Sequence, residues 1–282
     1  MLYNENKIQI IGVFTMILFF IISFLASTLG AICGIGGGII IKPALDLFGL
    51  APVGTISFLS GCAVLSMSTY SVIRGKIENP QGGNLRTTTP LALGAAVGGI
   101  LGQRLFSLIE ALFIEPNTVG GVQACCVFIV TLLTLLYNLN KKRIKTKNIK
   151  NIFSCVAVGL ALGCLSAFLG IGGGPVNLVV LYYFFSMETK SAAKSSLYII
   201  FVSQLASLTT AIVTGTVPMF EWTSLALMIV GGIGGGMLGR AIDKRLRVFV
   251  VDRLFTATTI IVLITCIYNA MNYFEVTSII NI

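Results

Sequence analysis

GAICGIGGGIIIKPALDLFGL (residues 30–50) sets a run of glycines, a lysine and an aspartate inside one of the most apolar neighbourhoods of the chain. Upstream lies IQIIGVFTMILFFIISFLASTLGAI (8–32), an uncharged stretch. It exceeds the roughly 18 to 20 residues a helix needs to cross the hydrocarbon layer. With a weak n-region and no cleavage site, it reads as a membrane helix rather than a removed signal. Downstream, 36–50 spans only about 22 Å as a helix, which is short for a bilayer. The spacing predicts a long membrane helix, a glycine break part-way into the membrane, and a shorter helix.

The rest of the chain repeats this apolar character. Of 282 residues, 56% are hydrophobic and 10% charged, with a mean hydropathy of +0.96. An average soluble domain is about 25% charged. These values predict an all-α integral membrane protein in a lipid bilayer, with no room for a soluble domain. The net charge of +9 does not indicate nucleic acid, because the basic residues sit in short loops without interleaved aromatics. Histidine is absent, which excludes Ser-His-Asp and Cys-His catalysis and most transition-metal sites. Seven cysteines lie within apolar segments without C-x-x-C spacing, as small buried apolar side chains do; Cys33, beside the glycine run, has a sulfur-handling thiol as its alternative. No enzyme activity, cofactor or metal is expected.

About ten transmembrane segments are legible, near 8–32, 36–50, 51–73, 87–109, 118–139, 151–170, 172–187, 192–214, 222–240 and 250–271. A basic stretch, KKRIKTKNIK (141–150), divides them into a first repeat (1–140) and a second (151–282). GIGGG at 34–38 returns at 170–174, GGILGQRL (98–105) returns as GGGMLGRA (234–241), and LLYNL (135–139) echoes CIYNA (266–270). Each copy holds five segments, so the copies are expected to be two inverted five-segment repeats with glycine-broken helices.

Charge placement supports that plan. Sixteen of the nineteen Lys and Arg fall in the loops after segments three, five, seven and nine. The loops around Glu110, Glu115 and Glu221 hold none. The positive-inside rule then puts the basic loops in the cytoplasm and both termini outside. Re-entrant second and seventh segments would leave five basic residues outside, which the rule disfavours.

Irregular backbone at membrane depth persists only where protein or a water-filled cavity surrounds it. Short, glycine-interrupted segments at corresponding places in two halves point to a transporter's binding site. Gly36, Gly37, Gly38, Gly172, Gly173 and Gly174 are therefore candidate substrate-binding residues. Helix N-termini following them would favour an anion, and helix packing is the alternative reading. Gly94, Gly98, Gly102 and Gly231, Gly235, Gly239, at four-residue spacing, read as packing faces. Lys42 and Asp46 share a helix face; Lys42 is either a functional charge at depth or a snorkelling side chain. Thr55 and Ser57, matched about 140 residues later by Ser195 and Ser196, join Asn177 and Gln204 as candidate cavity groups. Each has a plain interhelical hydrogen bond as its alternative. LYYFF (181–185) reads equally as an interfacial belt or a cavity wall.

GIGGGIIIKPALDLFGLAPVGTISF (34–58) and AFLGIGGGPVNLVVLYYFFSMETKSAAKSSLY (167–198) resemble the sulfite exporter TauE/SafE family, also called the TSUP family of permeases. The likeness covers nearly the whole chain through the order of its motifs and their duplication. Pro175 and Asn177 depart from the first copy's Lys42 and Pro43, and Lys194 stands opposite Gly54. The resemblance implies a permease for small anions, often sulfur-containing ones such as sulfite, sulfonates, sulfoacetate or thiosulfate.

Together these features predict a secondary transporter of the cell membrane working by alternating access. It would be driven by a proton or sodium gradient, with Asp46 as the coupling acid and the oligomeric state left open. The alternatives are a transporter of another small solute or a cation, and a non-transporting scaffold or sensor subunit.

Overall fold

The computed structural model describes residues 2–78, 85–112, 116–141 and 143–280; Glu115 and Lys142 lie outside the described residues. These fold as ten α-helices with no strand among them. In chain order they are α1 (Leu2–Cys33), α2 (Gly38–Leu47), α3 (Val53–Glu78), α4 (Leu85–Leu112) and α5 (Pro116–Asn140). Beyond the linker follow α6 (Ile152–Leu169), α7 (Gly174–Phe185), α8 (Thr189–Val213), α9 (Trp222–Asp243) and α10 (Val248–Ile280). Eight carry a stretch long and apolar enough to cross a membrane. The exceptions, α2 and α7, have 10 and 12 residues, about 15 and 18 Å at 1.5 Å per residue.

Both short helices begin at a glycine run. Gly34, Gly36 and Gly37 hold positive φ, as do Gly170, Gly172 and Gly173. A side chain would be strained there, so the chain leaves α1 and α6 by a turn that only glycine makes at low cost. The turns close alike: Ile35 N–H donates to the Gly30 carbonyl at 3.0 Å, and Ile171 N–H to the Ser166 carbonyl at 3.3 Å. The segment expected over 36–50 is shorter as a helix because the left-handed Gly37 starts it and Gly49, at φ +58°, ends it.

The four-residue glycine stripes bring helices to backbone contact. A Cβ on Gly94, Gly98 or Gly102 of α4 would fall on carbonyl oxygens of Val156, Leu160 and Cys164 of α6. Gly231, Gly235 and Gly239 of α9 face the Phe20, Phe24 and Thr28 carbonyls of α1 in the same way. Both pairs therefore run parallel. The adjoining edge of α4 exposes Leu93, Val97, Leu101, Leu105 and Leu108, an apolar stripe suited to lipid. Polar groups lie inside: Ser23, Ser27, Ser60, Ser68 and Thr131 are buried. The LYYFF stretch lies by the linker, where Lys147 N–H donates to the Tyr183 carbonyl at 2.8 Å and the Lys141 ammonium sits 5.2 Å from the Tyr182 ring centre.

Candidate functional site

Lys42 sits in the middle of α2 and is 2% exposed, so it does not snorkel. Its ammonium donates to Ser57 Oγ on α3 at 2.6 Å and to Gln123 Oε1 on α5 at 2.8 Å. The Gln123 amide is fixed in turn, because its Nε2 donates to the Phe168 carbonyl at 2.8 Å, two residues before the second glycine run. Lys42 and Asp46 form no ion pair among the described residues. Asp46 turns to α10, where it hydrogen-bonds the Tyr273 hydroxyl, while its Oδ1 is buried without a partner. Asn269 Nδ2, also on α10, donates to the Pro43 carbonyl at 2.9 Å.

A cavity of about 340 Å³ opens above Lys42's partners. Ser57, Gln103, Gln123, Gly170, Gln204 and Ser207 line it. Glu110 and the 215–218 loop add to the lining. A Cβ on Gly170 would stand 2.8 Å from Ser57 Oγ and 3.5 Å from Lys42 Cδ, so the absence of a side chain there keeps the ammonium close to the open space. An ammonium has three N–H donors, and the two bonds above engage two of them. The result is a buried cation hydrogen-bonded to two neutral oxygens of the cavity wall, behind a polar cavity that it does not itself line.

Among the residues singled out by sequence, Ser57 and Gln204 line this cavity, and Lys42 lies behind it, bonded to Ser57 and Gln123 without lining it. Gly172 borders Gln204, whose Nε2 would lie 3.0 Å from a Cβ at that position. Gly36, Gly37, Gly38, Gly173 and Gly174 are buried and do not line the cavity. A Cβ on Gly38 would instead meet the Ile171 carbonyl, and one on Gly36 would lie 3.6 Å from the Gly172 carbonyl. The two glycine runs thus pack on each other. Thr55 donates to the Met219 carbonyl at 3.1 Å, and Ser195 accepts from Thr88 at 3.1 Å. Ser196 Oγ and Asn177 Oδ1 are buried without a hydrogen bond. Sequence reasoning missed Gln123, Gln103 and Ser207. For Gln123 the signal was present, a lone amide within GGVQACC (120–126), of the kind that singled out Gln204.

A sheath of long apolar helices around a polar cavity with a cation behind its wall is the construction of a membrane permease. The chain belongs to the sulfite exporter TauE/SafE family, whose family model matches residues 19–266. It is similar to the probable membrane transporter protein YunE of Bacillus subtilis (strain 168), 22% identical over 91% of this chain and 99% of that protein. YdhB of the same organism, also called a probable membrane transporter protein, is 24% identical over 79% of this chain and 88% of its own length. A probable membrane transporter protein of Haemophilus influenzae is 26% identical over 81% and 85%. No solved structure matches the chain significantly.

Proposed function

We propose that the chain is a secondary permease moving a small, sulfur-containing oxyanion of the sulfite, sulfonate, sulfoacetate or thiosulfate class across the cytoplasmic membrane by alternating access. The observation that carries this reading is Lys42. A charge removed from water costs several kcal/mol unless it is paired, and this one hydrogen-bonds neutral oxygens only, with Asp46 a turn along α2 and Glu110 at the cavity acting on it without touching it. A substrate anion entering the 340 Å³ cavity would supply the missing charge. Ser57, Gln123 and Gln204 are the neutral groups placed to orient its oxygens, and the family's name points to the sulfur class.

The glycine stripes support two inverted five-segment repeats. The first helix of each repeat lies parallel against the fourth of the other, α1 on α9 and α6 on α4. In this arrangement the basic loops face the cytoplasm and both termini face out. The glycine runs, Asn177, Ser195, Ser196 and Thr55 would then serve as the packed joint on which the halves move, with Lys42 and its partners holding the substrate.

Flux of labelled sulfite, thiosulfate, sulfoacetate, sulfate and taurine into liposomes holding only this protein tests the reading. Saturable flux of one or two anions is expected, with KM raised about tenfold in Gln204→Leu through one lost hydrogen bond to a charged ligand. Absence of flux for every anion would overturn it in favour of another cargo or a partner-dependent role.

Asp46 is the acid we assign to coupling, since its carboxylate is buried beside the substrate helix with one oxygen unpartnered. For a sulfonate, whose own charge is constant with pH, uptake by the parent protein should rise under an imposed proton gradient. In Asp46→Asn the rate should be the same with and without the gradient. A variant that still follows the gradient would remove Asp46 from coupling.

A further inference from the structure

A second cavity of about 180 Å³ lies at the basic end of the molecule. It is lined by Glu78 at the end of α3, Lys190 and Lys194 at the start of α8, and Arg240, Asp243 and Lys244 where α9 ends. The first cavity takes the start of α3 and the end of α8, so the two open at opposite ends of this helix pair.

The internal duplication relates them. Adding the glycine-run spacing of 136 to Gly54, Ser57, Phe58 and Gly61 of the first cavity gives Lys190, Ala193, Lys194 and Leu197 of the second. Adding 137, the spacing between Gly102 and Gly239, converts Gln103, Phe106 and Ser107 into Arg240, Asp243 and Lys244. Contacts beneath the cavities obey the same rule. A Cβ on Gly170 would meet Ser57, and one on Gly34 would meet Ala193. A Cβ on Gly172 would meet Val64, and one on Gly36 would meet Ile200. Each glycine run therefore underlies one cavity. The spacing is 136 here, rather than the roughly 140 read from the serines and threonines by sequence.

What differs between the copies is charge. The first cavity carries one carboxylate, Glu110, among amides, hydroxyls and apolar groups, whereas the second carries four cations and two carboxylates, with Gly54, Phe58, Gln103 and Ser107 giving way to Lys190, Lys194, Arg240 and Lys244. Arg240 Nη2 and Lys244 Nζ both donate to the Glu78 carboxylate, at 3.0 and 2.8 Å, and Lys190 Nζ lies 3.7 Å from Asp243. Lys194 has no hydrogen bond or ion pair among the described residues. With Arg74 also 3.9 Å from it, the Glu78 carboxylate serves three cations, while Lys194, exposed at the cavity's edge, has no counter-charge.

We propose that this basic vestibule is a second oxyanion site, the repeat-related counterpart of the first cavity, in which the Glu78 carboxylate occupies the place of the ligand in the state described. Its role as the other end of a permeation path rests on the permease reading; its ability to bind an anion does not. A small free oxyanion and a lipid headgroup phosphate share the chemistry that Arg240, Lys244 and Lys194 recognise.

The test is equilibrium binding of radiolabelled sulfate to the full-length protein carrying Lys42→Met, which removes the cation behind the first cavity, in phosphatidylcholine nanodiscs. One saturable site is expected. Relative to that background, affinity should fall at least about fivefold in Lys194→Gln and tenfold in Arg240→Gln, and rise about tenfold in Glu78→Gln as the internal competitor is removed. Lys194 holds nothing in the fold, so its variant keeps the test valid if Arg240→Gln does not fold. Displacement of sulfate by added phosphatidylglycerol would identify the ligand as a headgroup phosphate, and retention would identify a free anion; either supports an oxyanion site. No saturable binding, or affinity unchanged in Lys194→Gln and Glu78→Gln, would overturn it. Binding here without flux in the parent protein would leave the site standing and remove the permease reading alone.

Discussion

Lys42→Met should lower anion flux about 30-fold or more, since losing a buried charged partner of a bound anion costs about 2 to 5 kcal/mol. The same variant should insert and purify normally, with a melting temperature no lower than the parent's. These two outcomes belong together because Lys42 works against the fold in the absence of ligand. Its ammonium has been taken from water and bonded to Ser57 and Gln123 alone, so methionine of similar length removes a desolvation cost. Ser57 and Gln123 line the cavity, where water can meet the freed oxygens. Lys42→Arg should not restore parental flux, because a planar guanidinium does not fit the two-point seat of an ammonium. Flux by Lys42→Met at the parent's rate would show that the buried cation is not the anion's partner. A sharp fall in melting temperature would show instead that the lysine is structural.

The helical segments were legible because their signals are local. Residues 222–240 stand out by apolarity alone and form Trp222–Asp243. The breaks were legible because consecutive glycines weaken any helix by about 1 kcal/mol each. The role of the glycine runs was harder to read. They carry the turns that redirect α1 and α6, and they lie against each other, so that a Cβ on Gly38 would meet the Ile171 carbonyl. Whether a polar side chain reaches a shared space depends on the rotation of its helix, which tertiary packing decides. Gln123 looked no different from any isolated amide until α5 was set against α2 and Phe168. The Glu78 ion pairs with Arg240 and Lys244 join residues more than 160 positions apart, and no periodicity within either helix encodes them. Lys42 and Asp46, four residues apart on α2, form no direct ion pair among the described residues; Lys42 bonds to α3 and α5, and Asp46 to α10. Partners in a crowded bundle outcompete the short-range pairing that an isolated helix would favour.

Gly98→Leu and Gly235→Leu should each prevent recovery of monodisperse protein. Helix association in a bilayer draws on close packing rather than on water exclusion, and these two glycines lie where backbones touch. A Cβ at Gly98 would land on the Leu160 carbonyl of α6, and one at Gly235 on the Phe24 carbonyl of α1. A carbonyl within a helix cannot swing aside as a flexible side chain does, so the whole helix pair must separate. Overpacking costs about 1 to 3 kcal/mol in a core that can adjust and more where it cannot, and separation also opens the contacts of neighbouring glycines in the same stripe. Gly12→Ala is the matched control, with nothing within 4 Å of its new Cβ. There the gain in helix propensity, about 1 kcal/mol, should leave the melting temperature unchanged or raised. Because α4 meets α6 and α9 meets α1 by the same device, the two leucine variants should fail to the same degree. If Gly98→Leu were recovered with a melting temperature within about 2 °C of the parent's, the parallel contact between α4 and α6 would not hold the two halves together. A large loss at Gly98 with none at Gly235 would mean that the duplicated contacts carry unequal shares of the fold.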